Sequence, residues 1–187
     1  VGTRLVGELL AQGAEVLVLS RNPSPEHLPA GVQTHPWNAL PGILEGSHAV
    51  INLAGEGIAD RRWTKARKEA LGASRIGPTR RLLEALERVQ SRPSVLVNAS
   101  AIGIYGNGGK ALLDESAPAG KGFLPQLCLA WEAAADPAQA LGIRVVKLRT
   151  GVVLGFRDKL TRERTTHAER GLVWVGDPAL AEHQQRR

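Results

Sequence analysis

The chain has 187 residues, a net charge of +6 and an isoelectric point near 10.1, and 43% of its residues are hydrophobic. This length suits one domain, and the apolar fraction is enough for a core. No stretch approaches the roughly 18 apolar residues of a membrane span, and the start lacks the pattern of a signal peptide. The single cysteine excludes an internal disulfide. These features predict a soluble, cytoplasmic protein.

The positive charge raises the question of nucleic-acid binding. The basic residues are interspersed with acids, as in the segment 61–69, and no nucleic-acid-binding motif accompanies them. The five histidines show no metal-ligand spacing, so no metal site is predicted. A mildly basic surface is more typical of a solvated face, or of one that attracts an anionic cofactor. Nucleic-acid binding therefore remains the weaker alternative, and no membrane partner is expected.

The first half of the chain alternates helical and strand patterns. Apolar residues recur at helical spacing over 1–10, and Gly13 follows as a stop signal. Strand-length apolar runs follow at 14–20, at 32–35 and at 48–54, and a proline-rich turn separates the first two.

The second half continues the alternation. Helices are predicted over 63–71, 74–89 and 124–140, and strands over 95–100 and 143–149. Apolar strands that alternate with amphipathic helices predict a parallel sheet covered on both faces, which is a doubly wound α/β fold. The segment 156–187 is rich in charge and has no sustained period, so it is expected to be a poorly ordered tail after a domain at 1–155.

Four motifs follow one another in a specific order. They are Asn52-Leu53-Ala54-Gly55 after a buried strand, a helix pair with Trp63, Ser74-Arg75 and Thr79, the run from Asn98 to Gly106, and Trp131-Glu132-Ala133-Ala134-Ala135. In this order the chain resembles, from Gly2 to Gly155, the atypical short-chain dehydrogenases/reductases of the NAD-dependent epimerase/dehydratase-like family. The resemblance implies a Rossmann-like NAD(P)-binding fold.

The resemblance also implies that the chain is truncated relative to the family. Gly2 looks like the third glycine of a phosphate-binding turn, so the first strand and most of that turn are expected to be missing. The segment 156–187 does not resemble the family's substrate-binding continuation, and a frameshift or an alternative end is our hypothesis for it.

The cofactor site implied by the resemblance is lined by residues from both halves of the chain: Gly2, Ser20, Arg21, Asn52, Leu53, Ala54, Gly55, Arg75 and Glu132. The end of the second strand of such folds holds the adenosine ribose, and an acid there selects NAD. Here Ser20-Arg21 occupies that place and no acid comes before Glu26. Because a guanidinium pairs well with a phosphate, NADP(H) is predicted over NAD(H).

The catalytic residues of the superfamily are only partly present. Ser100 matches the place of the serine that orients the substrate, but there is no Tyr-x-x-x-Lys motif, since Leu124 and Cys128 occupy the tyrosine and lysine positions. Tyr105 is the only tyrosine and lies beside Ser100 in sequence. It is the candidate acid, although a tyrosine that packs under the loop is the stronger interpretation.

Two functions remain open after this sequence reading. The leading hypothesis is an NADP-binding oxidoreductase or epimerase-like protein acting on a small molecule of unknown identity. The rival is a non-catalytic nucleotide-sensing or interaction module, which the missing tyrosine and lysine favour. The oligomeric state is not predicted.

Overall fold

The computed structural model describes residues 1–20, 28–30 and 32–153. Within them are three α-helices and five strands. The helices are α1 (Gly2–Ala11), α2 (Lys65–Leu86) and α3 (Phe123–Ala135). The strands are β1 (Leu17–Leu19), β2 (Gln33–His35), β3 (Ala49–Asn52), β4 (Val95–Ala101) and β5 (Arg144–Thr150). The tail predicted at 156–187 and Arg21, which was predicted to favour NADP(H), lie outside the described residues.

The ends of the helices follow local signals. After α1 the chain turns at Gly13, whose φ of +80° lies in the left-handed region that favours glycine. At the start of α2 the Thr64 side chain accepts a hydrogen bond from the backbone N–H of Arg67, as an N-cap does. The helix predicted at 124–140 ends earlier as an α-helix and continues as a 3₁₀ helix over Asp136–Leu141.

The prediction of two helices over 63–89 is wrong, because α2 runs unbroken from Lys65 to Leu86. It passes through Gly72 and contains Pro78, which each weaken an isolated helix. Their cost is outweighed by burial of the helix face that carries Leu71, Leu82 and Leu86.

All strand pairs are parallel, as predicted, but the described strands form two sheets. β1 pairs with β2, and β3, β4 and β5 form a three-stranded sheet in that order. Among the described residues, β1 and β3 each have one edge without a strand partner. In the larger sheet Asn52 is paired with Asn98, so the polar ends of β3 and β4 lie side by side.

The core lies between the three-stranded sheet and the helices. It is built from Leu44, Leu82, Leu83, Ala85, Leu86, Val89, Leu96, Ala135, Ala138 and Ile143. This core holds rigid the carboxyl ends of β3, β4 and β5, where ligands bind in open parallel sheets. No helix in the described part of the chain is long and apolar enough to cross a membrane.

Candidate functional site

A buried hydrogen-bond network shapes the chain as it leaves β3. The Asn52 side-chain amide donates to Asn98 Oδ1 at 2.7 Å and to Thr79 Oγ1 at 2.9 Å. Its carbonyl oxygen accepts from the backbone N–H of Ala54 at 3.2 Å. Because every polar atom of the Asn52 side chain is engaged inside the protein, its role in this structure is to fix the turn toward Gly55.

Gly55 lies directly against Arg75 of α2. A Cβ atom at Gly55 would come within 3.2 Å of the Arg75 side chain, so a larger residue would crowd the guanidinium. Arg75 is 9% exposed and donates to the carbonyl oxygens of Glu56 and Leu71 and to Ser74 Oγ. Its guanidinium carbon lies 5.1 Å from the centre of the Trp131 ring. Burial lowers the pKa of Arg75. A guanidinium is not deprotonated in proteins, so a positive charge is held behind this turn.

The start of the chain approaches the same turn. α1 begins at Gly2, and a Cβ atom there would lie 3.8 Å from Leu53 Cδ1. No side-chain hydrogen bond caps this helix end. The structure thus brings together the predicted residues Gly2 and Leu53 and sets a helix N-terminus beside the end of β3.

Ser20 follows β1, and its backbone N–H donates to the His35 carbonyl at 3.0 Å. The residue is therefore held at the carboxyl end of the two-stranded sheet. The cofactor-binding roles of Ser20 and of the residues around Gly55 stay predictions.

A second network joins the two candidate catalytic residues to α3 and β5. Ser100 Oγ donates to Glu132 Oε1 at 2.6 Å. Arg149 donates to both carboxylate oxygens of Glu132, from Nε at 2.9 Å and from Nη2 at 3.0 Å, and from Nη1 to Tyr105 Oη at 2.9 Å. Ser100 is 2% exposed and Glu132 is 4% exposed, whereas Tyr105 is half-buried. Of Ser100, Glu132 and Tyr105, only Tyr105 is partly exposed to solvent.

The charges in this network are set by its hydrogen bonds. Burial alone would raise the pKa of Glu132, but the hydrogen bonds from Arg149 and Ser100 outweigh burial and hold it below the ordinary value. The hydrogen bonds to Glu132 raise the pKa of Arg149 above its ordinary value. Glu132, predicted to line the cofactor site, therefore has both oxygens engaged by protein groups.

The start of α3 faces the segment that follows β4. A Cβ atom at Gly103 would lie 3.6 Å from Leu124 Cβ and 3.9 Å from Cys128 Sγ. Cys128 is 4% exposed, and its burial together with the negative charge of Glu132 raises the pKa of the thiol. Leu124 and the protonated Cys128 thiol thus stand at the positions assigned to the tyrosine and the lysine, and neither side chain can carry out their proton transfer.

The sequence reading missed Arg149. Its signal was present, because Lys147 and Arg149 alternate with apolar residues near the carboxyl end of a predicted strand. A partly buried charge in such a strand needs a partner, and for Arg149 the partner is Glu132. Within residues 1–20, 28–30 and 32–153, no group of histidine, cysteine or acidic side chains could hold a metal ion.

A family model described as the NAD dependent epimerase/dehydratase family matches residues 1–170. An epimerase family protein of Mycobacterium bovis is 43% identical over 159 residues, covering 82% of this chain and 50% of the relative. The human epimerase family protein SDR39U1 is 35% identical over 161 residues, covering 83% of this chain and 52% of the relative. The chain spans about half the length of the curated relatives it matches.

Solved structures share the fold. Human SDR39U1 (isoform 2) with NADPH superposes with a TM-score of 0.72 at 31% identity, over 86% of this chain and 54% of that chain. MoeE5 in complex with UDP-glucose and NAD gives 0.63 at 25% identity, over 80% of this chain and 50% of that chain. The predicted Rossmann-like α/β fold is confirmed. With the family model matching most of its length, the chain belongs to the NAD-dependent epimerase/dehydratase family.

Proposed function

We propose that this chain is the dinucleotide-binding part of an NADP(H)-dependent oxidoreductase or epimerase-like protein whose substrate is a small molecule. The observation that carries the proposal is the meeting of the α1 N-terminus at Gly2 with Leu53 at the end of β3. Uncapped backbone N–H groups at a helix N-terminus favour phosphate, and the carboxyl ends of parallel strands are where dinucleotides bind.

The residues at this place suit such a cofactor. Gly55 lets the Arg75 side chain lie directly against the backbone after β3, and Arg75 supplies a buried positive charge behind this turn. The dinucleotide would supply hydride chemistry, while the chain's own residues bind and orient it. The NADPH named with the human relative's structure supports the same cofactor class.

The preference for NADP(H) is proposed to depend on Ser20 and Arg21. Replacing Arg21 by Asp is expected to weaken NADPH binding by about 1.5–3 kcal/mol, the scale of a hydrogen bond to a charged group. NADH binding should change less, because NADH has no 2′-phosphate. Isothermal titration calorimetry with both dinucleotides measures these affinities.

The matched control is Arg88→Asp, which makes the same charge change in an exposed turn after α2. This variant should bind NADPH as the parent does. Equal NADPH affinity of Arg21→Asp and the parent would reject the assignment of Arg21.

Ser100 and Tyr105 are the proposed catalytic residues, with unequal access. The Ser100 hydroxyl is buried and donates to Glu132, so it orients the network more readily than it touches a substrate. Tyr105 is half-buried and carries an ionisable hydroxyl, so it is the better placed proton donor.

A non-catalytic nucleotide-sensing module is the second candidate, and the packing of Leu124 and Cys128 against Gly103 favours it. Neither side chain performs the proton transfer of a tyrosine and lysine pair. Hydride transfer from NADPH to a panel of ketones, aldehydes and nucleotide sugars separates the two functions. NADPH binding without turnover of any panel member would support the sensor.

A further inference from the structure

The Arg149 side chain makes hydrogen bonds from all three of its nitrogens. Two parallel bonds at 2.9 and 3.0 Å join it to the two oxygens of Glu132. The third nitrogen, Nη1, does not bond to Glu132; it donates to Tyr105 Oη at 2.9 Å and to the Glu115 carbonyl at 3.2 Å. Because a guanidinium is planar and such paired bonds fix its orientation, Glu132 determines where Nη1 points.

This pair is fixed in charge as well as in position. Glu132 is buried and ionised, and it also accepts a hydrogen bond from Ser100 Oγ. Arg149 cannot act as an acceptor, since a guanidinium has only donors. In the hydrogen bond between these residues, Arg149 Nη1 is therefore the donor and Tyr105 Oη is the acceptor.

An accepting phenol oxygen leaves its own proton for another partner. Within the described residues, no group accepts a hydrogen bond from Tyr105 Oη. The guanidinium carbon of Arg149 lies over the Tyr105 ring, 5.4 Å from the ring centre. The Tyr105 hydroxyl proton is therefore free to be donated to a ligand that contacts this half-buried residue.

The Tyr105 backbone is held equally firmly. The Gly120 N–H donates to the Ile104 carbonyl at 2.9 Å, and a Cβ atom at Gly120 would lie only 2.3 Å from the Tyr105 carbonyl oxygen. The chain that returns from residue 106 to α3 therefore passes directly over Tyr105. Both ends of the residue are fixed, which is what a group that must meet a ligand in one orientation requires.

We propose that Arg149, anchored by Glu132, is a positioning residue that holds Tyr105 with its hydroxyl proton free to be donated to a bound substrate. This inference rests on the proposed function. In a reduction, the Tyr105 O–H bond would break and its proton would form a new O–H bond with the substrate oxygen; a bound reduced dinucleotide would supply the hydride. Arg149 stabilises the phenolate until water returns the proton.

The first experiment tests the positioning without any turnover. Tyr105 is the only tyrosine, so the tyrosine doublet in the Raman spectrum reports this one phenol and distinguishes an accepting oxygen from a donating one. The parent should show the accepting signature. Arg149→Met and Arg149→Lys should both lose it, since a lysine ammonium cannot bind both Glu132 oxygens and Tyr105 in the same geometry.

The control variant is Arg144→Met, at the exposed start of the same strand, and it should keep the parent's signature. Arg149→Lys keeps the charge beside Glu132 and so guards against loss of folding. An accepting signature retained in either Arg149 variant that folds overturns the proposal.

The second experiment uses NADPH and any ketone or aldehyde that the parent reduces. Tyr105→Phe should lower kcat about 10²–10⁴-fold, the usual contribution of a general acid, with the Kd for NADPH unchanged. Arg149→Lys should lower kcat about 10–100-fold in the same way, and Arg144→Met should not. A Tyr105→Phe variant with the parent's kcat overturns the proposal. If the parent reduces no carbonyl, the oxidoreductase function fails, and the Raman result alone decides whether Arg149 positions Tyr105.

Discussion

Two regions of the molecule differ sharply in how much they bury. In the three-stranded region, made of β3–β5 with α2 and α3, the sheet and helices enclose a continuous core that includes Leu86 and Leu96 at 0% exposure. In the two-stranded region, made of α1, β1 and β2, Val6 is the only buried residue described. Leu17 of β1 is 39% exposed.

The two regions also carry different parts of the proposed function. The Ser100–Glu132–Arg149–Tyr105 network lies wholly in the three-stranded region, whereas Ser20, proposed to select the dinucleotide, follows β1. Under the proposed function, proton transfer would depend on the three-stranded region and cofactor choice on the two-stranded region. Substitutions made in matched pairs can test whether the two are separable.

The largest expected difference comes from one substitution made in each region. Leu86→Ala removes a fully buried side chain and should lower the free energy of unfolding by about 2–5 kcal/mol. Leu17→Ala acts on a partly exposed side chain and should cost less than about 1 kcal/mol. Urea denaturation of both variants measures the pair. Equal losses would show that the two regions share one core.

The second pair removes a carboxylate charge from each region. Glu132→Gln should lower the free energy of unfolding at neutral pH by about 1.5–3 kcal/mol, because it weakens hydrogen bonds with a charged partner. Glu8→Gln removes an exposed carboxylate on α1 and should leave stability nearly unchanged.

The stability difference between the parent and Glu132→Gln should decrease as the pH falls. The pKa of Glu132 is lowered in the folded protein, so its contribution is complete above the unfolded value of about 4.3 and is lost as the pH falls through the folded value. The stability of parent and Glu132→Gln should therefore converge in acid. A constant difference from neutral pH to pH 3 would contradict the assigned ion pair.

The smallest effects come from two glycines. Gly120→Ala should cost about 1–3 kcal/mol, because the added Cβ would overlap the Tyr105 carbonyl. Gly7→Ala, inside α1 and with its nearest neighbour at 3.7 Å, should instead stabilise the protein by about 0.4–1 kcal/mol. Thermal unfolding gives both values. A neutral Gly120→Ala would mean that the chain above Tyr105 shifts easily.

The contrast also explains what the sequence could predict. The strands that carry Asn52 and Ser100 were predicted from their apolar runs, although the first ends earlier and the second ends later than predicted. Because the strands are parallel, their carboxyl ends lie at one edge of the sheet. The continuity of α2 through Gly72 was missed, since it depends on burial of the helix and not on local propensity. The Arg149–Tyr105 contact joins residues 44 positions apart, and only the packing of β5 beside β4 creates it.

The buried thiol of Cys128 can report how often α3 separates from the structure that covers it. Cys128 is the only cysteine, it is 4% exposed, and burial raises its pKa. An alkylating reagent can modify this thiol only in molecules where α3 has moved away from β4, so the labelling rate counts such events. Local separation of the helix can thereby be distinguished from global unfolding, without introducing a foreign label.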